Sequence, residues 1–477
     1  MTEKSEKYFV VYMLSGLAVL FGYFALTWEG FEGGADNMAH YRISRYAFNY
    51  PHLFLDHWGK PFFTLLSSPF AQFGFTGIRF FNILTGLLAA FFTYLSAKKF
   101  EMKNPILAIV FTVFAPIYFI LLPTGLTEPL FSLLLILSVY LMLSRRYVLS
   151  AIVISFLPLV RTEGLVILPL FFLALITHRK YMTVFLLVSG PLIYSIIGYF
   201  YFGDFFWLIT HSPYGGAKDI YGSGDFFRFV KSAGKITGIP EAVLIGVGII
   251  GIFKDLVSSG FKSSTQKNLG FFLLVAAPLL IYLAAHSYVW WKGIGGSLGL
   301  IRVMAGIIPL ASLLALKGYN TLMTLFKIPG KAVIVVSIAL SITIAYYPLF
   351  KYHDFPLNES ERTVAEAASW LRDSEHFNYK IYYYHLYFIH YLGIDPFNTS
   401  LCQEKIPDRN QPSHLIPEGS IIQWDSHFGP NEGRLPLENL INDPNLVLLK
   451  TFEPKVPVKT WKGDAFRVHL FIRTGSE

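Results

Sequence analysis

Residues 8–28, "YFVVYMLSGLAVLFGYFALTW", form an apolar run interrupted by no charge. A helix needs about 20 consecutive apolar residues to cross the hydrocarbon of a bilayer. This run suffices, and no small-residue cleavage site follows it, so it reads as a retained spanning helix and not as a cleavable leader. The next stretch, 34–63, is "GADNMAHYRISRYAFNYPHLFLDHWGKPFF". It carries Asp36 and Asp56, His40, His52 and His57, Arg42, Arg45 and Lys60, and apolar sequence resumes directly after it. So many ionisable groups in the first loop of a greasy chain call for an explanation.

The rest of the composition agrees with the opening run. Of 477 residues, 53% are hydrophobic and 15% charged, and the mean hydropathy is +0.48. Soluble domains carry about 25% charged residues, so most of this chain is dissolved in lipid. The net charge of +8 would suggest nucleic acid in a soluble protein. Here it reflects lysine and arginine retained in inner loops, and nucleic acid is not an expected partner. The single cysteine, Cys402, excludes an internal disulfide framework and a cysteine-based metal cluster.

Spans are expected near 8–28, 77–97, 105–122, 127–143, 148–160, 164–177, 182–202, 240–253, 269–286, 301–316 and 332–349, about eleven in all. With the N-terminus inside, the inner loops are dense in cations, among them Lys98, Lys99, Arg145, Arg146, Arg179, Lys180 and Lys262. The outer loops are longer and sparser, Lys218 being one of their cations. An odd count puts the C-terminus outside, on the face of the polar first loop. The expected domains are a membrane region, 1–350, and a small extracytoplasmic α/β domain, 351–477. In the latter, "NESERTVAEAASWLRDSEHF" (358–377) opens with Asn358 three residues before Glu361, a capping pattern ahead of an amphipathic helix. Strand-like runs follow at "KIYYYHLYFI", "SIIQWDS", "NLVLLKTF" and "AFRVHLFIR". Asp425 in "WDSHFG" reads as the cap of a strand turn.

The polar residues concentrate on one side. Glu128 in "PTGLTEP" and Glu163 in "RTEG" sit at span ends, where a carboxylate is costly unless hydrated, paired or used. Together with Asp36 and nearby cations they point to a cavity at the outer membrane surface. His40, His52 and His57 lack the helix-turn spacing and the cysteine partners that a metal site would need.

Several of these segments occur in an order that resembles a known family. Asp36-Asn37 in the first outer loop is followed by "GKPFFTLLSSPFAQFG" (59–74) and "GIRFFNILTGLLAAFFTYLSAKKF" (77–100). "TGLTEPLFSLLLIL" (124–137), "LVRTEGLVILPL" (159–170) and "GLIRVMAGIIPLASLLA" (299–315) come later. The chain is similar over about 1–320 to the GT-C superfamily of membrane glycosyltransferases, of the dolichyl-phosphate-mannose protein mannosyltransferase and lipid A aminoarabinose transferase type. Asn37 stands where that family has a second acid, and Phe62 where it has a second proline. The resemblance implies a polytopic helical GT-C-like membrane protein that moves a sugar, with inversion, from a polyprenyl-phosphate donor to an acceptor protein, lipid or glycan. It makes Asp36 the general base and matches Lys60 and Arg79 to the family's Lys and Arg positions. Read from the residues themselves, Asp56 is a second candidate base, and His40, Glu128, Arg161, Glu163 and Arg302 are candidates for substrate binding, the plainer readings being a structural Arg161–carboxylate ion pair and an interfacial anchor at Arg302. The physics agrees. A lipid-linked donor arrives sideways through the bilayer, so no nucleotide fold is needed. The departing phosphate must meet a guanidinium, an ammonium or a divalent cation such as Mg²⁺ or Mn²⁺. The location expected is a bacterial inner membrane. Two other readings are a transporter or flippase for a lipid-linked or anionic substrate, and a non-catalytic envelope assembly factor. The first would need charges at mid-membrane, of which the spans hold few; the second would leave the carboxylates at the span ends without a purpose.

Overall fold

The computed structural model describes residues 2–213, 221–258 and 265–475. Lys218 and Lys262, used above for topology, lie outside the described residues. The chain divides into two compact units, Met1–Gly33 with Pro51–Asp354, and Gly34–Tyr50 with Phe355–Glu477. The segment that carries Asp36 belongs to the second unit.

In the first unit six helical segments are long and apolar enough to cross a membrane: Glu3–Thr27, Gly74–Lys99, Tyr181–Phe202, Asn268–Lys292, Ile301–Leu325 and Gly330–Lys351. Of the other five expected crossings, three are the shorter apolar helices Glu128–Leu143, Tyr147–Leu159 and Thr162–Thr177. A fourth lies within Ile239–Ser258, which carries Glu241, Lys254 and Asp255. The fifth, 105–122, is two helices, Leu107–Phe114 and Pro116–Leu121. Ala115 between them has ψ 121°, because Pro116 supplies no amide hydrogen and forces its predecessor out of helical geometry. Gly330–Lys351 exposes Val335 (66%), Ile342 (63%) and Tyr346 (63%), a stripe suited to lipid contact.

Segments Ile239–Ser258 and Ile308–Leu325 pack together through small residues. A methyl group on Gly318 would lie 1.9 Å from the Leu244 carbonyl oxygen, and one on Gly248 would lie 2.1 Å from that of Leu314. Without a hydrophobic force between helices in lipid, such close approach is what holds them. Gly318→Ala is therefore expected to destabilise the protein by about 1–3 kcal/mol through overpacking, read as a lowered melting temperature in detergent. An unchanged melt would show that the two helices separate without cost.

The second unit contains a five-stranded sheet in the order β2-β1-β3-β5-β4. Its strands are β1 Ile381–Tyr383, β2 Cys402–Glu404, β3 Ile421–Asp425, β4 Leu446–Phe452 and β5 Val468–Arg473. β1 runs parallel to β2 and β3, while β5 is antiparallel to β3 and β4. Tyr382, Ile422, Trp424, Leu435, Leu440 and Phe471 are core residues of this unit. The helix Glu359–Arg372 begins as the sequence suggests, with the Asn358 side chain accepting from the Glu361 amide at 2.8 Å. Asp425 closes β3 by accepting from the amides of His427 and Phe428 at 3.0 and 2.8 Å.

The helix Ala35–Tyr46 is tied to this unit at several points. Tyr387 donates its hydroxyl to the Gly34 carbonyl at 3.2 Å, Arg42 donates to Tyr383 Oη at 3.0 Å and to Glu404 at 2.7 Å, and Tyr50 donates to Asp395 at 3.0 Å. Its register is thereby set by side chains more than three hundred residues away in sequence.

Candidate active site

In the first unit the helix Gly74–Lys99 orders the backbone around the site. Arg79 donates to the carbonyls of Ala25, Trp28 and Gly30 at 3.0, 2.8 and 3.1 Å. These acceptors lie at the C-terminal end of the first helix and just beyond it, where carbonyls lack intrahelical partners. The guanidinium lies against the rings of Phe31 and Phe75, so these contacts make Arg79 a scaffold for the exit of the first span. One turn on, buried Asn82 donates to the carbonyls of Thr124 and Leu126 at 2.7 and 2.8 Å. That fixes the turn from which the helix Glu128–Leu143 starts, and so fixes Glu128.

Glu128 is 1% exposed. Arg161 reaches it with Nη1 at 2.7 Å, touches Thr127 Oγ1 at 3.2 Å, and reaches Glu163 with Nη2 at 3.0 Å. Arg161 itself is in extended backbone, φ −153° and ψ 130°, between the short 3-10 turns Leu157–Leu159 and Thr162–Val166. Gly164 permits this break, since a Cβ there would meet Leu157 C and Pro158 N at 2.8 Å. Irregular backbone inside a membrane bundle is tolerated where it is buried in protein or lines a cavity.

Two further elements complete the cluster. Arg302, at the head of Ile301–Leu325, places Nε 3.9 Å from Glu128 and donates from Nη1 to the Gly33 carbonyl at 2.7 Å. His286 has its Nε2 3.6 Å from Glu163 and packs at 4.5 Å, tilted, against Tyr282, four residues before it on the same helix face. Tyr282 donates to the Val303 carbonyl at 3.1 Å and so ties the two segments. Lys60, at the start of Pro61–Ala71 with φ 61°, lies within electrostatic reach of Glu163. The result is two carboxylates interleaved with two guanidiniums, with an ammonium nearby. One oxygen of Glu128, Oε2, has no hydrogen-bond partner among the described residues. Buried polar atoms are rarely left unmatched.

Glu128, Arg161, Glu163 and Arg302 thus come together in the first unit. Asp56 lies in the turn ahead of them, where its Oδ1 accepts from the Gly59 amide at 2.7 Å and shapes the approach to Lys60. His57, in the same turn, packs on Trp207 at 4.8 Å, and burial, with the charge of Lys60 adding, holds its imidazole below the ordinary histidine range. In the second unit, Asp36 stands half-buried in the first turn of Ala35–Tyr46, and His40 is buried one turn later. Among the described residues no group of three or more His, Cys, Asp or Glu side chains gathers to hold a metal. His286, Tyr282 and Thr127 escaped the sequence reading. A histidine at the polar end of an apolar span was the available signal for the first; nothing in the sequence marks the other two.

No family model matches the sequence, and no curated protein matches it. Solved structures do. ArnT from Cupriavidus metallidurans bound to undecaprenyl phosphate superposes with a TM-score of 0.59 at 13% identity, over 96% of this chain and 97% of that one. The apo state of the same protein gives 0.57 at 13% identity, over 98% and 99%. Over nearly its whole length, this chain therefore has the fold of ArnT, an aminoarabinose transferase of the GT-C class.

Proposed function

We propose that this protein transfers a sugar from a polyprenyl-phosphate carrier to an acceptor at the extracytoplasmic face of a bacterial inner membrane, with inversion. The observation that carries this reading is the buried Glu128–Arg161–Glu163 cluster with Arg302 beside it, in a chain folded like a protein whose structure holds undecaprenyl phosphate. In the proposed reaction Asp36 takes the proton of the acceptor hydroxyl as its oxygen bonds to the anomeric carbon. The bond from that carbon to the phosphate oxygen breaks, and polyprenyl phosphate leaves with the electron pair. Arg302 and Lys60 meet the phosphate charge, while Glu128, Glu163 and Arg161 hold the sugar and one another. Asp56, His40 and Arg79 support the substrate-binding loop, and a divalent cation is an alternative partner for the phosphate. The proposed topology has the N-terminus in the cytoplasm, about eleven crossings, and residues 351–477 outside.

Binding of the lipid carrier, the leaving product of the proposed transfer, tests the reading. Undecaprenyl phosphate titrated into the purified protein in lipid nanodiscs should bind. Arg302→Ala should weaken binding about ten- to a hundredfold, the size of a lost charge-assisted hydrogen bond. Arg302→Lys should recover part of this, because a point charge remains and the bidentate fork does not. Equal affinity in wild type and Arg302→Ala would remove Arg302 from the phosphate site, and no binding by wild type would remove the donor class.

A further inference from the structure

The second unit holds a cavity that the proposed chemistry does not use. It lies between the helix Ala35–Tyr46 and the segment from Leu386 to Pro396, with a volume of about 280 Å³. That is at the small end of ligand-binding pockets, room for one ring and a charged substituent. Arg42 and Arg45 both line it, and no acidic residue does. Arg42 has its guanidinium orientation set by Tyr383 Oη and by Glu404, so little freedom remains to be lost on binding an anion. Tyr41, Tyr46 and His390 add groups that hydrogen-bond hydroxyls, with the Tyr41 ring edge-on to His390 at 5.6 Å. Leu386, Ile389 and Ile394 supply an apolar wall for the C–H face of a ring.

We propose that this cavity binds an anionic sugar, a monosaccharide carrying a phosphate or a carboxylate. Arg45, with Arg42 held beside it in its pair with Glu404, recognises the charge, aromatic and imidazole groups take the hydroxyls, and the aliphatic wall takes the ring. The site is distinct from the proposed base. Arg42 and Arg45 follow Asp36 by six and nine residues, which at 3.6 residues per turn places them about 240° and 180° round the helix from it. Binding here does not require the transfer reaction and stands apart from the proposed function.

Calorimetric titration of the full-length protein in nanodiscs with glucose 1-phosphate tests the proposal, with glucose and inorganic phosphate as separate arms. Glucose 1-phosphate should bind at least about tenfold more tightly than either fragment, because charge and ring contacts act together. Arg45→Gln should weaken it about ten- to a hundredfold, and Arg45→Lys should restore part of the loss. A melting curve for each variant shows that the fold is intact. No binding of glucose 1-phosphate by the wild type would overturn the proposal. So would equal affinity in a folded Arg45→Gln variant, or phosphate alone binding as tightly as the sugar phosphate.

Discussion

Asp36→Asn is expected to fold, to bind the donor, and to turn over at least about a hundredfold more slowly than wild type, since removing a general base costs about 10²–10⁴ in rate. The substitution keeps side-chain size and removes only the capacity to accept a proton. Asp36 occupies the first turn of Ala35–Tyr46, and that helix is anchored at Gly34, Arg42 and Tyr50 by Tyr387, Tyr383 with Glu404, and Asp395. None of those anchors uses the Asp36 carboxylate, and a thermal melt of the variant beside wild type checks that the fold is intact. Steady-state kinetics with a polyprenyl-phosphate sugar separates the cases. A loss confined to kcat identifies the base. Near-wild-type turnover in Asp36→Asn, with loss in Asp56→Asn, would move the base to Asp56.

Arg161→Ala is expected to have the largest effect on stability, about 3–5 kcal/mol, the cost of leaving one partner of a buried ion pair uncompensated. Glu128 is 1% exposed and Arg161 lies 2.7 Å from it. Removing the guanidinium leaves two carboxylates, Glu128 and Glu163, without the cation that joins them. Adding Glu128→Gln to Arg161→Ala should recover part of the loss, because one of the two uncompensated charges is then gone. Thermal melts of the single and double variants in one detergent measure this. An Arg161→Ala protein as stable as wild type, or a double variant no better than the single, would show that Glu128 does not depend on Arg161 for its charge.

Much of the cluster was legible because membrane burial makes ionisable residues conspicuous. Glu128, Glu163 and Arg302 stand out at the ends of apolar runs, and the structure joins Glu128 and Glu163 through Arg161. Arg79 was equally conspicuous, yet its donors go to backbone carbonyls at 2.8–3.1 Å. A sequence shows that a buried arginine needs acceptors without showing whether backbone or ligand provides them. His286 and Tyr282 were hidden by their surroundings, since four-residue spacing on an apolar helix resembles ordinary packing. In the second unit, the Asn358 cap and the runs that become β3, β4 and β5 followed from local pattern, whereas the run 380–389 is a strand only over Ile381–Tyr383 and turns into the helix Leu386–Leu392. β2, three residues long at Cys402–Glu404, has no periodicity to find. The grouping of Gly34–Tyr50 with the C-terminal residues depends on side chains such as Arg42 and Tyr387 meeting partners remote in sequence, which no local pattern encodes.

The most direct measurement is transfer itself. Purified protein in nanodiscs is supplied with a polyprenyl-phosphate sugar radiolabelled in the sugar, together with candidate protein, lipid and glycan acceptors. The account predicts that label moves to one acceptor class, with the anomeric configuration inverted, while one polyprenyl phosphate is released for each sugar transferred. Label that stays on its polyprenyl carrier with every acceptor class, while the same protein in sealed vesicles moves the intact lipid across the bilayer, would contradict the account and make the protein a flippase.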